Sequence, residues 1–153
     1  MVKTVLLIED NPDDIELSVH AFGKMESSIK LVVLNDGVEA TDYLLGRGNY
    51  TDKKSCPIPS LILLDLKMPR VNGLEVLQQI RSNARTKFIP VVILTSSSEE
   101  QDIINCYKLG ANSYIRKPID FDHFSKSIKV IADYWLFINI VPQINEIILA
   151  ADL

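Results

Sequence analysis

The sequence predicts an α/β protein: five parallel strands in one doubly wound sheet, covered on both faces by five helices. Three observations carry this. First, the runs Thr4-Val5-Leu6-Leu7-Ile8, Leu61-Ile62-Leu63-Leu64 and Val91-Val92-Ile93-Leu94 are continuously apolar. They lack the alternation of a half-exposed strand and read as strands buried on both faces. Second, each run is followed by a segment whose apolar residues recur at helical spacing, and strand–helix alternation implies a parallel sheet. Third, 153 residues with 47% apolar content are enough for one sizeable core. No internal repeat and no long linker suggests a second domain.

The first strand, Thr4 to Ile8, ends in Glu9-Asp10. Asn11 then caps a helix and Pro12 suits its first position. Asp13 and Asp14 lie in the first turn, where the helix dipole favours negative charge. Ile15, Val19 and Phe22 follow at helical spacing, and Gly23 closes the helix. Lys30 to Leu34 is the second strand. Asp36-Gly37 turns the chain into a helix carrying Val38, Ala40, Tyr43, Leu44 and Leu45. Residues 46–59 form a polar loop of unusual length, which reads as either functional or mobile.

Leu61 to Leu64 is the central strand and leads straight into Asp65. Gly73 to Ile80 is an amphipathic helix with Leu74, Leu77 and Ile80 inward. Pro90 to Leu94 is the fourth strand and ends in Thr95. Ser96 to Glu100 starts a helix that runs to Leu109-Gly110, where Gly110 serves as a C-terminal cap. Ser113-Tyr114-Ile115 is a short fifth strand ending near Lys117-Pro118.

The last helix starts near Asp120. Phe121, Phe124, Ile128, Ile131 and Trp135 mark one apolar stripe, and Val130, Tyr134, Phe137 and Val141 mark a second. An edge helix has limited core to cover, so one stripe is expected on the sheet and the other in a homodimer. Tyr107, beside Cys106, and Phe121 join that candidate dimer surface. Beyond Pro142, Ile144, Ile147 and Ile148 are spaced either for a short helix that extends the contact or for a frayed end. The expected organisation is a domain over 3–137 and an extension over 138–153, helical or interface-forming.

Several function classes are excluded. No apolar run reaches the roughly 18 residues that cross a bilayer, and no signal peptide opens the chain, so a cytoplasmic protein without membrane contact is expected. The net charge is −4 and no basic cluster exceeds Lys53-Lys54, which speaks against nucleic acid. Cys56 and Cys106 lack metal spacing and read as free thiols. His20 and His123 read as ordinary surface or boundary residues.

The chemistry gathers just past the strands. The first strand supplies Glu9 and Asp10, the third Asp65, the fourth Thr95 and the fifth Lys117. In a doubly wound sheet these ends share one edge. Any one of them alone is better explained as a cap or turn residue; it is the combination that carries meaning. Three adjacent carboxylates cannot all ionise without a partner. Mg2+ supplies one, held by carboxylates, waters and phosphate oxygens, and Mn2+ or Ca2+ can substitute. Asp65, at the end of the central strand, is the candidate nucleophile for phosphoryl transfer. Asp10 is the direct metal ligand and Glu9 reaches the metal through water. Lys67 offers its backbone carbonyl, and Lys117 offers a point charge for a phosphate or aspartate oxygen.

This constellation resembles the receiver domain of two-component response regulators. The matching residues are Glu9-Asp10, Asp65 followed by Met68-Pro69 and Gly73, Thr95 with Ser96, Tyr114, and Lys117-Pro118. The resemblance implies the flavodoxin-like fold with strand order 2-1-3-4-5. It implies phosphorylation of Asp65 by a histidine kinase with Mg2+, in a phospho-accepting signalling protein rather than an enzyme, one able to catalyse its own phosphorylation and dephosphorylation. Thr95 and Ser96 would serve the phosphoryl group, Tyr114 would turn inward behind Thr95, and Lys117 would pair with Asp65 or its phosphate. The Lys117–Pro118 peptide is expected to be cis. The output surface would be the fourth helix, fifth strand and fifth helix. The long 46–59 loop, the aromatic Tyr134-Trp135 and the C-terminal run without an output domain resemble the small response regulators of cyanobacterial phytochromes, which implies a phytochrome-type kinase.

Two other readings compete. A phosphatase of the haloacid dehalogenase type also uses an aspartate nucleophile after a strand, but its second acid stands two residues on, where this chain has Lys67. A flavin carrier needs a phosphate loop after the first strand, and Glu9-Asp10 repels phosphate there unless a cation intervenes.

Overall fold

The computed structural model describes residues 2–25, 27–52 and 56–142. Its elements follow in order: β1 (Lys3–Ile8), α1 (Pro12–Gly23), β2 (Ile29–Leu34), α2 (Gly37–Leu45), a 3-10 turn (Gly48–Tyr50), β3 (Leu61–Leu64), α3 (Gly73–Ser82), β4 (Val91–Thr95), α4 (Glu100–Lys108), β5 (Ser113–Arg116), α5 (Phe121–Ala132) and a π-helical continuation (Asp133–Ile138). All strand pairs are parallel and the order is β2-β1-β3-β4-β5, as the resemblance implied.

Alternation along the central strands divides the core in two. Leu6, Ile8, Ile62, Leu64, Val91 and Ile93 face one layer, where they meet Ala40 and Tyr43 of α2, Val76, Leu77 and Ile80 of α3, and Cys106 of α4. Val5, Leu7, Leu61, Leu63, Val92 and Leu94 face the other, against Ala21 and Phe22 of α1 and Phe124, Ile128 and Ile131 of α5. Both faces of these strands are covered, which explains their unbroken apolar runs.

The register sets the functional edge. Ile8 pairs with Leu64, and Leu64 with Ile93, so β1, β3 and β4 end at nearly one level. The chain leaves β1 toward β2 on one side, while β3 continues the sheet on the other. The β1/β3 boundary is therefore the switch point, where open α/β sheets form their binding crevice.

Local sequence accounts for most boundaries. Asn11 accepts from the Asp13 and Asp14 amides, Asp36 from Glu39, Asn72 from Glu75 and Asp120 from His123, each a side-chain N-cap. Gly110 (φ +97°) ends α4 as expected: its amide bonds Tyr107 O and the Ala111 amide bonds Cys106 O, a Schellman pair. Gly46 (φ +66°) ends α2 in the same way, bonding Tyr43 O while Arg47 bonds Asp42 O.

Four expectations need correction. Gly23 is the last residue of α1 and the cap is Lys24, in right-handed conformation, so no left-handed turn calls for glycine there. Val76 is fully buried on α3 while Leu74 is only half-buried, because the sheet covers a face rotated slightly from the one counted. The stripe of the last helix ends on buried Leu136 rather than half-buried Trp135. Here the helix widens, and the Asn139 amide bonds Tyr134 O across five residues; the wider turn carries Leu136 onto the sheet. Phe121 lies at the margin, its ring 5.3 Å from that of His20, since α1 rather than the sheet is its neighbour.

The long loop is anchored in its described parts. Tyr50 Oη donates to Glu39 Oε1 at 2.6 Å, Tyr43 Oη to Pro57 O at 3.1 Å, and the two rings meet at 5.2 Å. Among the described residues no helix is long and apolar enough to cross a membrane. The helix expected around Ile144, Ile147 and Ile148 lies outside the described residues.

Candidate functional site

Two strand ends bring three carboxylates to the crevice. Glu9 follows β1 and is 2% exposed; its Oε2 accepts from the Asp10 and Asn11 amides at 3.1 and 3.3 Å. Asp10 is exposed at the mouth. Asp65 follows β3 and is 7% exposed. Its amide donates to Ile8 O at 3.0 Å and its Oδ1 accepts from the Leu66 amide at 2.9 Å. The turn beyond it is pinned by Gly73, whose amide donates to Leu66 O at 2.9 Å. A Cβ at Gly73 would meet Asp65 O at 2.3 Å and Leu66 Cα at 2.7 Å, so only glycine lets α3 start this close to the strand end.

Lys117 crosses from the far side. Its amide donates to Thr95 O at 2.7 Å, which aims the side chain back over the sheet edge. Its Nζ hydrogen-bonds Glu9 Oε1 and Asp14 Oδ2, the latter at 2.8 Å, and lies 3.7 Å from Asp65 Oδ2. The Lys117–Pro118 peptide is trans, contrary to expectation. The isomers of a peptide before proline differ by only about 0.5–1 kcal/mol, so packing decides the isomer.

Charge is unbalanced here. Burial pushes the Glu9 carboxyl up to about 7, helped by the Asp65 charge and opposed by the hydrogen bond from Lys117. Burial alone would lower Lys117, but the hydrogen bonds to Asp14 and Glu9 outweigh it and its value is raised. One ammonium thus faces three carboxylates, Glu9, Asp14 and Asp65, with Asp10 exposed beside them. Oxygens of Glu9, Asp10 and Asp65 lie within 4.8 Å of one another, close enough to share one ion. An all-oxygen, anionic donor set fits a hard cation such as Mg2+, Mn2+ or Ca2+ and no thiophilic metal. The expected grouping of Glu9, Asp10, Asp65 and Lys117 is thus brought together. Lys67 is exposed just beyond Asp65.

The fourth strand end links the crevice to the α4 side. Thr95 is fully buried and its Oγ1 accepts from the Ser97 amide at 3.4 Å. Ser97 Oγ donates to Asp102 Oδ2 at 2.5 Å, and Tyr114 Oη donates to Ser97 O at 2.9 Å. Ser96 between them is exposed. Thr95, Ser97 and half-buried Tyr114 therefore form one connected loop. One participant, Asp14, is not singled out by the sequence, and the contacts of another, Ser97, are not legible there. Asp14 was read as a helix-dipole residue, yet it reaches Lys117; the available signal was that the first turn of α1 overhangs the same edge as Glu9. Ser97 is legible in the sequence as a residue that, with Lys67, could screen water from a phosphoryl group, but its bonds to Asp102 and Tyr114 are not.

Residues 5–129 match the response regulator receiver domain model. The chain belongs to this family of two-component signalling proteins. As a receiver it is similar to the response regulator Rcp1 of Synechocystis sp., at 37% identity over 134 residues, covering 88% of this chain and 89% of that one. It is equally similar to the probable methanogenesis regulatory protein FilR2 of Methanothrix harundinacea, at 37% over 139 residues, covering 90% and 86%. Among solved structures, the phosphorylated cyanobacterial phytochrome response regulator RcpA superposes with TM-score 0.88 at 37% identity, covering 94% of this receiver and all of that chain. The Mn2+-bound form of Rcp1 superposes with TM-score 0.84 at 36% identity, covering 92% and 99%. That relative of this receiver is thus one that binds Mn2+.

Proposed function

We propose that this receiver accepts a phosphoryl group on Asp65 from a sensor histidine kinase, with Mg2+ present, and reports the event on the surface of α4, β5 and α5. One observation carries the reading: the Asp65 carboxylate stands buried at the end of the central strand, in reach of both the shared acidic site and the Lys117 ammonium. In the transfer an Asp65 oxygen bonds to phosphorus as the bond from phosphorus to the donor imidazole breaks, its electron pair returning to the ring nitrogen. Glu9, Asp10, Asp65 and the Lys67 carbonyl would hold the cation, which when bound supplies positive charge to the phosphoryl oxygens. Lys117 and the Thr95 hydroxyl, with Ser96 beside it, would bind those oxygens.

The switch follows from the bonds of the β4–α4 loop. A Thr95 hydroxyl drawn to a phosphoryl oxygen gives up the Ser97 amide, and Tyr114, held to the Ser97 carbonyl, follows inward. This is a local charge event biasing a two-state element. The likeness to the phytochrome response regulator RcpA supports a phytochrome-type kinase as donor. The exposed stripe of Val130, Tyr134 and Phe137 supports a homodimer through the last helix, with Tyr107, Phe121, Val141 and the 138–153 extension contributing. Mass measured in solution from low to high micromolar concentration tests this: a dimer that Tyr134→Asp dissociates is expected, and a monomer throughout would overturn it.

Mg2+-dependent labelling with acetyl phosphate tests the reading. Wild type labels and Asp65→Asn does not; equal labelling of the two overturns it. Mixing with a panel of phosphorylated kinases, a phytochrome included, then tests the donor.

A further inference from the structure

The crevice holds one carboxylate more than the proposed chemistry uses. Asp14 is not among the three side chains that gather for a cation. It nevertheless takes a hydrogen bond from Lys117 Nζ at 2.8 Å, while Asp65 Oδ2 stands off at 3.7 Å. The Lys117 side chain is 10% exposed and that of Asp14 26%, so this pair is partly shielded from solvent, where screening is weaker.

Asp14 is held in place for this contact. Its amide donates to the Asn11 cap at 3.2 Å, and its carbonyl accepts from buried Ser18 Oγ at 2.8 Å. The carboxylate is thereby fixed over the sheet edge from the first turn of α1. Asp13, one residue earlier on the same turn, is exposed.

We infer that Asp14 is a positioning residue that holds the Lys117 ammonium away from Asp65 until a phosphoryl group draws it across. The inference rests on the phospho-accepting role proposed for Asp65. An ammonium has three donors. Glu9 and Asp14 occupy two of them, and the third faces Asp65 without reaching hydrogen-bond distance. Removing Asp14 frees one donor and one competing charge, and Asp65 or its phosphoryl group becomes the nearest new acceptor. Phosphoryl transfer then starts with Lys117 already turned toward the reacting oxygens, so Asp14 restrains the rate. With acetyl phosphate, an Asp65 oxygen bonds to phosphorus while the bridging bond breaks and its electron pair leaves with acetate.

The test compares wild type, Asp14→Asn and Asp13→Asn. The two variants remove the same charge from the same helical turn, and only the first touches Lys117. In metal-free protein, nitrogen-15 NMR of the lysine ammonium groups is expected to show the Lys117 signal displaced by Asp14→Asn and unmoved by Asp13→Asn. With saturating Mg2+ and acetyl phosphate, Asp14→Asn is expected to label about threefold or more faster than Asp13→Asn, because a charge-assisted bond no longer competes. An unmoved Lys117 signal, or equal labelling rates in the two variants, overturns the inference and leaves the role of Asp65 standing. Wild type that takes no label overturns the role of Asp65, and with it the restraint assigned to Asp14.

Discussion

Stability of the metal-free protein should fall as the pH rises from about 5 to about 7, the reverse of ordinary acid denaturation. The cause is Glu9, whose carboxyl is pushed by burial from 4.5 up to about 7. A raised value in the folded state means that the native protein binds this proton more tightly than the unfolded chain. The associated stability is complete below 4.5 and is lost as pH climbs through 7. The rise from 4.5 to about 7, at about 1.36 kcal/mol per tenfold change in proton affinity, gives on the order of 3 kcal/mol. Glu9 is 2% exposed, so solvent does little to screen it. Urea unfolding in EDTA at pH 5, 6, 7 and 8 measures the effect. Glu9→Gln keeps the shape without the charge, and its stability should be nearly flat across this window, exceeding wild type at pH 8 by about 2–3 kcal/mol. Mg2+ should reverse the wild-type loss at pH 8, by about 2.7 kcal/mol at a hundred times its dissociation constant. A wild-type stability that is flat or rising from pH 5 to 8 in EDTA, or a Glu9→Gln variant with the same slope, would show that the Glu9 proton does not stabilise the fold.

Further predictions concern the frame. Gly73→Ala should destabilise by about 2–4 kcal/mol, since its Cβ would lie 2.3 Å from Asp65 O; it should also lower labelling of Asp65, read by denaturation and acetyl phosphate assay together. Leu136→Ala should cost about 2–5 kcal/mol, more than Ile138→Ala, because Leu136 is 1% and Ile138 67% exposed. Equal costs would contradict the packing of the π-helical segment. Tyr114→Phe removes the bond to Ser97 O and should cost about 1 kcal/mol. It should also loosen the β4–α4 loop, seen as faster amide exchange at Ser97.

The sheet and its functional edge were readable because the strands are buried on both faces. Leu61 to Leu64 has no polar residue to confuse its reading, and the one carboxylate that follows it is the one the crevice receives. Glu9 and Thr95 were legible in the same way, each as the first polar residue past a buried run, with Asp10 next to Glu9 and Lys117 just past the short fifth strand. The misreadings arose where tertiary geometry outweighs spacing. Counting at 3.6 residues per turn placed Trp135 inward, but a wider turn put Leu136 there. Asp14 was hidden because its local role as a first-turn acid sufficed to explain it, and only the fold brings Lys117, 103 residues away, to its side chain. The isomer of the Lys117–Pro118 peptide carries no local signal strong enough to read.

Everything proposed for the crevice depends on Asp65 being the residue that accepts the phosphoryl group. Borohydride reduction converts an aspartyl phosphate to homoserine, so wild type treated with acetyl phosphate and Mg2+ and trapped with tritiated borohydride can be mapped by peptide. Labelled homoserine is expected at position 65 and is lost when Mg2+ is chelated. Label at position 9, 10 or 14, or none at 65 under conditions where the protein is folded and metal-bound, would contradict it.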